Sequence, residues 1–272
     1  MNIYVIVDME GVSSLVDPFT EASHKGKDHG AFRDVMTGEV RAAAIGLNKG
    51  GAEKVIVCDF HGSGKNIIFK DLPHYVELVR GDFRPGSGLD GYDGPVHGLV
   101  FLGAHAASFT RGAVIGHTYC GDVEIFINGK RMNEFSLLAA AWGERGVPPI
   151  LVSGDQAACS QAKDFSPQVL TVPTKEGIEF RAARCFHPQL IEERLAEQSE
   201  LAMKAIGDKS PFMLSDNGEY ELSISLPAQP WADRLCWIPG AILENDRTYK
   251  FELKSMIEVI NIIYGASMLR FP

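Results

Sequence analysis

The chain contains no Cys-x-x-Cys pair, and its five cysteines (Cys58, Cys120, Cys159, Cys185 and Cys236) are odd in number and widely spaced. That is poor material for a disulfide framework or a thiolate zinc site, and it fits a reducing compartment, the cytoplasm. No basic run occurs either: 26 Lys and Arg are scattered against 35 Asp and Glu, for a net charge of −9. A nucleic-acid-binding arm is therefore not expected. The first apolar stretch, Ile3 to Val7, is too short for a signal or membrane segment and has no basic flank. Asn-x-Ser/Thr, His-Glu-x-x-His and Gly-x-Ser-x-Gly are absent, as are internal repeats and low-complexity tracts. What is present is ordinary for a globular protein: 272 residues, 45% hydrophobic and 22% charged, enough for one large domain or two modest ones.

Short apolar runs alternate with amphipathic stretches. Ile3–Val7, Lys54–Asp59, Val96–Leu102 and Pro149–Ser153 read as buried strands, and Arg33–Leu47, Phe135–Trp142 and Gln156–Lys163 as helices. Gly50-Gly51 closes the first helix, and Val123–Ile127 runs into an Asn128-Gly129 hairpin turn. Strand–helix alternation predicts an α/β fold, a mostly parallel sheet with flanking helices. After about residue 170 the pattern changes. A long helix (188–206), an alternating strand (221–226), a strand near 249–253 and a terminal helix (254–268) suggest a smaller C-terminal α+β subdomain. The expected division is 1–170 for an α/β metal-site domain and 171–272 for the subdomain, with a single domain as the alternative.

Three of the strands end in metal-ligating residue types. Asp8-Met9-Glu10 follows the first, and residues two apart on a strand share a face, so both carboxylates can converge at its C-terminal end. Asp59-Phe60-His61 follows the second and Gly103-Ala104-His105 the third. In open α/β sheets that edge is where ligands bind. A carboxylate pair is costly to bury unless a cation neutralises it. Taken singly, the carboxylate pair reads first as a solvated strand end and each histidine first as a hydrogen-bonded structural residue; their shared position across strands is what points to a metal. Oxygen and imidazole donors without thiolate suit zinc, with manganese or nickel as substitutes. Glu134 opens a predicted helix, where it serves as cap or ligand. His117, among small and apolar neighbours, is either a buried, satisfied histidine or a catalytic group.

Other patterns carry less. Gly86-Ser87-Gly88-Leu89-Asp90-Gly91 matches a dinucleotide fingerprint literally but follows Pro85 and opens no helix. Gly62-Ser63-Gly64-Lys65-Asn66 lacks the spacing of a phosphate loop, and Arg80-Gly81-Asp82 is without meaning here. His24, His29, His74, His97 and His187 sit in polar contexts and are expected to face solvent. No Arg or Lys clamp for phosphate is evident near the acidic and imidazole set.

Together, Val7-Asp8-Met9-Glu10-Gly11-Val12-Ser13, Asp59-Phe60-His61, Leu102-Gly103-Ala104-His105-Ala106, Gly116-His117-Thr118 and Ile127-Asn128-Gly129-Lys130 through Glu134 resemble, in order and spacing, the D-aminopeptidase family (peptidase family M55). The resemblance runs over nearly the whole chain, including Trp231–Gly240 and the terminal helix. It implies a zinc aminopeptidase with two ions per subunit, held at the positions of Asp8, Glu10, His61, His105 and Glu134, with Asp8 shared. It assigns the catalytic role to the position of His117, and it implies a homo-oligomeric ring, a decamer. Phe60, Gly62 and Val123-Glu124 depart from the family pattern in ways that bear on substrate preference.

The reaction this implies is hydrolysis of the amide bond next to a free amino terminus, in a small D-amino-acid peptide or amino-acid amide, through water activated by two metals. His117 then acts as nucleophile, general base or oxyanion stabiliser. Two alternatives use the same ligands: a two-metal hydrolase of L-, β- or γ-linked amides or of phosphoesters, and a non-enzymatic, ring-forming metal-binding protein.

Overall fold

Aliphatic and β-branched runs of about six residues are too short for helices that bury themselves, and they form the strands of the central sheet. In the computed structural model the described residues are 1–82, 84, 86–119 and 121–269, so Pro85 and Cys120 lie outside them. In chain order the elements are β1 (Asn2–Val7), α1 (His29–Lys49), β2 (Lys54–Asp59), β3 (Val76–Val79), β4 (Gly98–Ala104), β5 (Glu124–Ile127), β6 (Lys130–Arg131), α2 (Glu134–Gly143), β7 (Pro149–Asp155), α3 (Gln156–Phe165), β8 (Leu170–Glu179), β9 (Ala182–Cys185), α4 (Pro188–Lys204), β10 (Tyr220–Ser225), α5 (Gln229–Leu235), β11 (Ile242–Asn245), β12 (Thr248–Leu253) and α6 (Met256–Met268).

The fold is α/β. One sheet has the order β3-β2-β1-β4-β7-β8-β9, parallel throughout except for the antiparallel edge strand β9. The other is antiparallel, with the order β11-β12-β10-β5-β6. The first sheet draws β8 and β9 from beyond residue 170, and the second draws β5 and β6 from before it. β8, β9, β3, β11 and α5 carry no clear strand or helix pattern in the sequence; pairing to an existing edge, not propensity, makes the four strands.

Alternate residues of the central strands feed two cores. Ile3, Val5, Val7, Val55 and Val57 pack under α1 and α4. Tyr4, Ile6, Ile56 and Phe101 face α2, α6 and the second sheet. All ten residues of α2 are buried, since it is enclosed on every side. The Asn128-Gly129 pair makes the β5–β6 hairpin with φ of 50° and 76°, both left-handed as a two-residue type I′ turn demands. No helix among the described residues is long and apolar enough to cross a membrane.

This topology positions the site. The chain runs outward from β1 through β2 to β3, then returns to place β4 on the other side of β1. Sheet order therefore reverses between β1 and β4, and a crevice opens beyond their C-terminal ends. Register aligns the exits: Val7 pairs with Asp59 of β2 and with Leu102 of β4, so Asp8, His61 and His105 all leave the sheet at nearly one level. Close packing there depends on Gly103, with φ of 68°. Its N–H donates to Ser153 Oγ (3.1 Å), its carbonyl accepts from Gly11 N (2.8 Å), and a Cβ would overlap the Asp8 carbonyl. Gly103→Ala is expected to cost about 2–5 kcal/mol, the sum of left-handed strain and overpacking. A thermal midpoint within a degree of the parent's would contradict this.

Candidate metal centre

Six of the sequence-derived residues meet in one place. Asp8, Glu10 and His61 bring ligand atoms within 4.8 Å of one another, and so do His105, His117 and Glu134. Asp8 connects the two triads: Oδ1 lies 3.0 Å from His61 Nδ1, and Oδ2 lies 3.2 Å from His105 Nε2. Glu10 Oε2 is 2.9 Å from His61 Nδ1, Glu134 Oε1 is 3.3 Å from His105 Nε2, and Glu10 Oε1 is 3.9 Å from His117 Nε2.

The carboxylates converge differently from the strand-face expectation. β1 ends at Val7, and Asp8–Glu10 form the turn that follows. Asp8 N still bonds Leu102 O (2.9 Å), Asp8 Oδ1 accepts from Met9 N (2.8 Å), and Val12 N closes on Met9 O (3.1 Å). The turn, not the pleat, aims Glu10 back beside Asp8. Glu134 had two candidate roles, and Asn133 takes one of them. The Asn133 side chain caps α2 by accepting from Ser136 N (2.8 Å), with Ser136 Oγ accepting from Asn133 N (3.0 Å). Glu134 is thereby free to enter the site, where it accepts from Tyr119 N (2.5 Å). The helix N-terminus favours its charge. Tyr119 holds φ of 59°, an unusual conformation for a bulky residue that is tolerated here beside the acidic and imidazole cluster.

Asp59, although at the same sheet edge, does not enter the cluster. It is fully buried and accepts from Asn66 N, Asn66 Nδ2 and Ile67 N, which folds the 60–67 loop and so places His61.

Each histidine has one ring nitrogen occupied. His61 Nε2 bonds Ala22 O (3.0 Å), His105 Nδ1 bonds Ala106 O (3.1 Å), and His117 Nδ1 bonds Ile115 O (3.1 Å). A carbonyl only accepts, so these nitrogens carry the N–H, and in the neutral rings the other nitrogen presents a lone pair. For His61 and His105 those lone pairs face carboxylate oxygens. Buried His105 Nε2 and Glu10 Oε2 have no hydrogen-bond partner among the described residues. Acceptor facing acceptor at about 3 Å is repulsive unless a cation or a shared proton lies between them. The donor set of imidazole nitrogen and carboxylate oxygen, each imidazole fixed by a backbone carbonyl, fits zinc. His117 stacks on His105 with ring centroids 3.8 Å apart and 16° between planes, and it remains partly open to the cavity.

Without metal, protons take the cation's place. Burial alone would depress His61 and His105, but Glu10 and Asp8 around the one and Glu134 and Asp8 around the other hold both well above the ordinary value. Burial would raise Asp8, yet the protonated His105 and His61 rings that face it hold it well below the usual range. Burial pushes Glu39 of α1 up to about 7 despite two hydrogen bonds from Ser13. Raised histidines stabilise the fold fully below about pH 6.5 and lose that contribution as pH rises through their folded values. A raised Glu39 likewise loses stability as pH climbs from its ordinary value towards 7. Burial pushes Lys175 down to about 8, and it acts in the opposite sense only above that pH. The chelated protein is therefore expected to melt at progressively lower temperature between about pH 6 and 7.5, while added zinc stabilises more as pH rises, because it competes with fewer protons. Melting curves with chelator and with zinc check this; a chelated midpoint that rises across the window contradicts it.

A cavity of about 520 Å³ opens onto the cluster. Phe60, Tyr119, Tyr264 and Met268 form much of its wall. This contribution from α6 is not legible in the sequence: Ile260 and Ile263 are core, but Tyr264 and Met268 on the same apolar helix reach the cavity, and nothing in the pattern distinguishes them. Arg84 also lines the cavity, a basic residue not anticipated near the ligands. Its Nη2 donates to Asp59 O (2.9 Å) and its Nε lies 4.0 Å from Asp90 Oδ2. Of the histidines expected to face solvent, His74, His97 and His187 do; exposed His24 stands at the cavity rim, and His29 is half-buried with Nδ1 against Glu21 O (3.3 Å).

Comparison with known proteins gives one consistent picture. A family model described as Peptidase_M55, D-aminopeptidase, matches residues 1–264. A D-aminopeptidase of Bacillus subtilis (strain 168) is 29% identical over 261 residues, covering 95% of this chain and 93% of the relative. Among solved structures, the Zn-dependent D-aminopeptidase DppA from Bacillus subtilis, described as a self-compartmentalizing protease, superposes with a TM-score of 0.94 at 28% identity, over 99% of this chain and 97% of that one.

Proposed function

This chain belongs to the D-aminopeptidase family, peptidase family M55, and from that premise we propose that it releases the amino-terminal residue of small D-amino-acid peptides or amino-acid amides. It is a metallo-aminopeptidase, a hydrolase of peptide bonds. Asp8, Glu10 and His61 would hold one zinc ion and His105 and Glu134 a second, with Asp8 shared, one oxygen directed to each side. The observation that carries this reading is the pair of unpartnered buried atoms, Glu10 Oε2 against His61 Nδ1 and His105 Nε2 against the Asp8 and Glu134 oxygens. When bound, zinc supplies a Lewis acid for the scissile carbonyl and makes hydroxide accessible near neutral pH.

The chain's own groups do the rest. With its Nδ1–H fixed on Ile115 O, His117 keeps Nε2 aimed towards Glu10 and the cavity. It accepts the proton of the attacking water there, holds it, and returns it to the leaving amine. The shared carboxylate of Asp8 and the flanking Glu10 and Glu134 carry the negative charge that offsets two nearby cations. Phe60, Tyr119 and Tyr264 give the acyl side chain an apolar wall and limit water. The test is chelation followed by zinc repletion, assayed with D- and L-aminoacyl p-nitroanilides and a D-alanyl peptide. Activity should vanish with chelator, return with zinc and favour the D substrates. Full activity in the chelated protein overturns the reading.

A homo-oligomeric ring, a decamer, is part of the same proposal. Two apolar surfaces support self-association. Ile178 and Phe180 at the β8–β9 tip are about two-thirds exposed, beside exposed Phe19, which Arg181 covers with its guanidinium 5.3 Å from the ring. Ile242 and Leu243 lie exposed on edge strand β11, with Trp237 exposed nearby in sequence. Patches of this kind are uncommon on monomers. Light scattering should give a multiple of the chain mass, and the double change Ile178→Asp with Phe180→Asp should lower it. A wild-type monomer would refute the assembly while leaving the chemistry untouched.

A further inference from the structure

The turn that carries Glu10 is held from beneath by buried polar groups distant in sequence. Lys175 on β8 is completely buried, and its Nζ donates to three main-chain carbonyls: Glu10 O (2.6 Å), Val12 O (2.8 Å) and Leu15 O (2.5 Å). An ammonium has three N–H donors and no acceptor, so this cradle uses all of them. Next to it, Thr174 Oγ1 donates to Gly11 O (2.6 Å). On the other side Glu39 Oε1 accepts from Ser13 N (2.7 Å) and Ser13 Oγ (2.6 Å). Five positions of the 10–15 segment, Glu10 through Ser13 and Leu15, are thus fixed by β8 and α1, elements that play no other part at the centre.

A carbonyl turned inward towards an ammonium sets the orientation of its own Cα–Cβ bond. We propose that Lys175 is a positioning residue for the metal centre, its ammonium gathering the Glu10, Val12 and Leu15 carbonyls so that the Glu10 carboxylate is presented to the Asp8–His61 side. A lysine here does what a potassium or ammonium ion does in a ring of carbonyls, but with the cation tethered to the chain. The inference rests on the reading of Glu10 as a ligand. It differs for the other triad, because Glu134 and His105 are oriented by Tyr119 N and Ala106 O, groups Lys175 does not touch.

The test compares Lys175→Ala, the near-isosteric Lys175→Met and Glu10→Gln with the parent, by zinc content per subunit and zinc affinity as well as turnover. Both lysine variants should fold, bind zinc at the Asp8–Glu10–His61 side at least about tenfold more weakly, and lose about 10- to 100-fold in kcat/KM, the range typical of groups that orient metal ligands. The other ion should be retained. In Lys175→Ala, n-propylammonium, which matches the missing side-chain segment, should recover part of the lost affinity. Folded variants with parental zinc affinity overturn the proposal, as do folded variants that lose both ions alike. Failure of both variants to fold even with zinc and n-propylammonium also overturns it, since Lys175 would then serve the fold at large. Glu10→Gln separates the levels. Parental zinc binding there refutes the ligand reading itself, whereas loss in Glu10→Gln without loss in the lysine variants refutes only the role of Lys175.

Discussion

Asp8→Asn should empty both triads of zinc and reduce kcat/KM by about a thousandfold or more, the largest effect expected of any single change in this protein. The side chain is isosteric, so the fold should survive; only the charge and one acceptor oxygen are lost. Among the described residues, Asp8 is the one carboxylate within 3.2 Å of both His61 and His105. Replacing it leaves each triad with a single acidic group, Glu10 on one side and Glu134 on the other. Metal-dependent stabilisation of the transition state is worth several kcal/mol, and each 1.36 kcal/mol is a factor of ten in rate. Glu10→Gln, by contrast, removes a ligand from one triad only and should leave about one ion. Metal analysis alongside kinetics distinguishes these outcomes. An Asp8→Asn protein that keeps its full zinc complement and its turnover would remove the shared carboxylate from the scheme.

His117→Ala should behave in the opposite way, keeping zinc while losing turnover by about 10²- to 10⁴-fold, the usual contribution of a positioned proton-transfer group. The loss should fall on kcat, with KM little changed, since His117 does not form the apolar wall. Its Nε2 is 3.9 Å from Glu10 Oε1, longer than the other imidazole–carboxylate distances in the cluster, and its ring stacks on His105 instead of pointing between carboxylates. Those two features are the ground for proposing a proton-transfer role for His117 and not a place among the principal ligands. Retained turnover would remove the catalytic role. Loss of one zinc together with activity would instead make it a ligand within the His105–His117–Glu134 group.

Much of this protein is legible in its sequence, and the legible parts share a physical basis. Buried parallel strands are covered on both faces, so β1, β2, β4 and β7 appear as uninterrupted apolar runs. Where such a run stops at Asp8, Asp59 or beyond Ala104, a polar residue at the sheet edge is conspicuous. The Asn128-Gly129 turn is explicit because only residues that tolerate left-handed backbone make it. Edge strands β3, β9 and β11 are not legible, because none is buried along its length and the pairing that defines them comes from another part of the chain.

The sequence by itself determined the donor chemistry: carboxylates and imidazoles without thiolates, delivered at successive strand ends, with a histidine set apart among small residues. Only the tertiary structure decided how they are used. Asp59 and His61 have the same local signature, yet one folds a loop and the other faces Asp8, because register sets which residue clears the sheet. Asn133 rather than Glu134 caps α2, and a lysine 165 residues downstream of Glu10 fixes the turn that aims it. Local patterns encode which atoms are available; orientation depends on contacts between segments remote in sequence, and those exist only once the chain has closed around its two sheets.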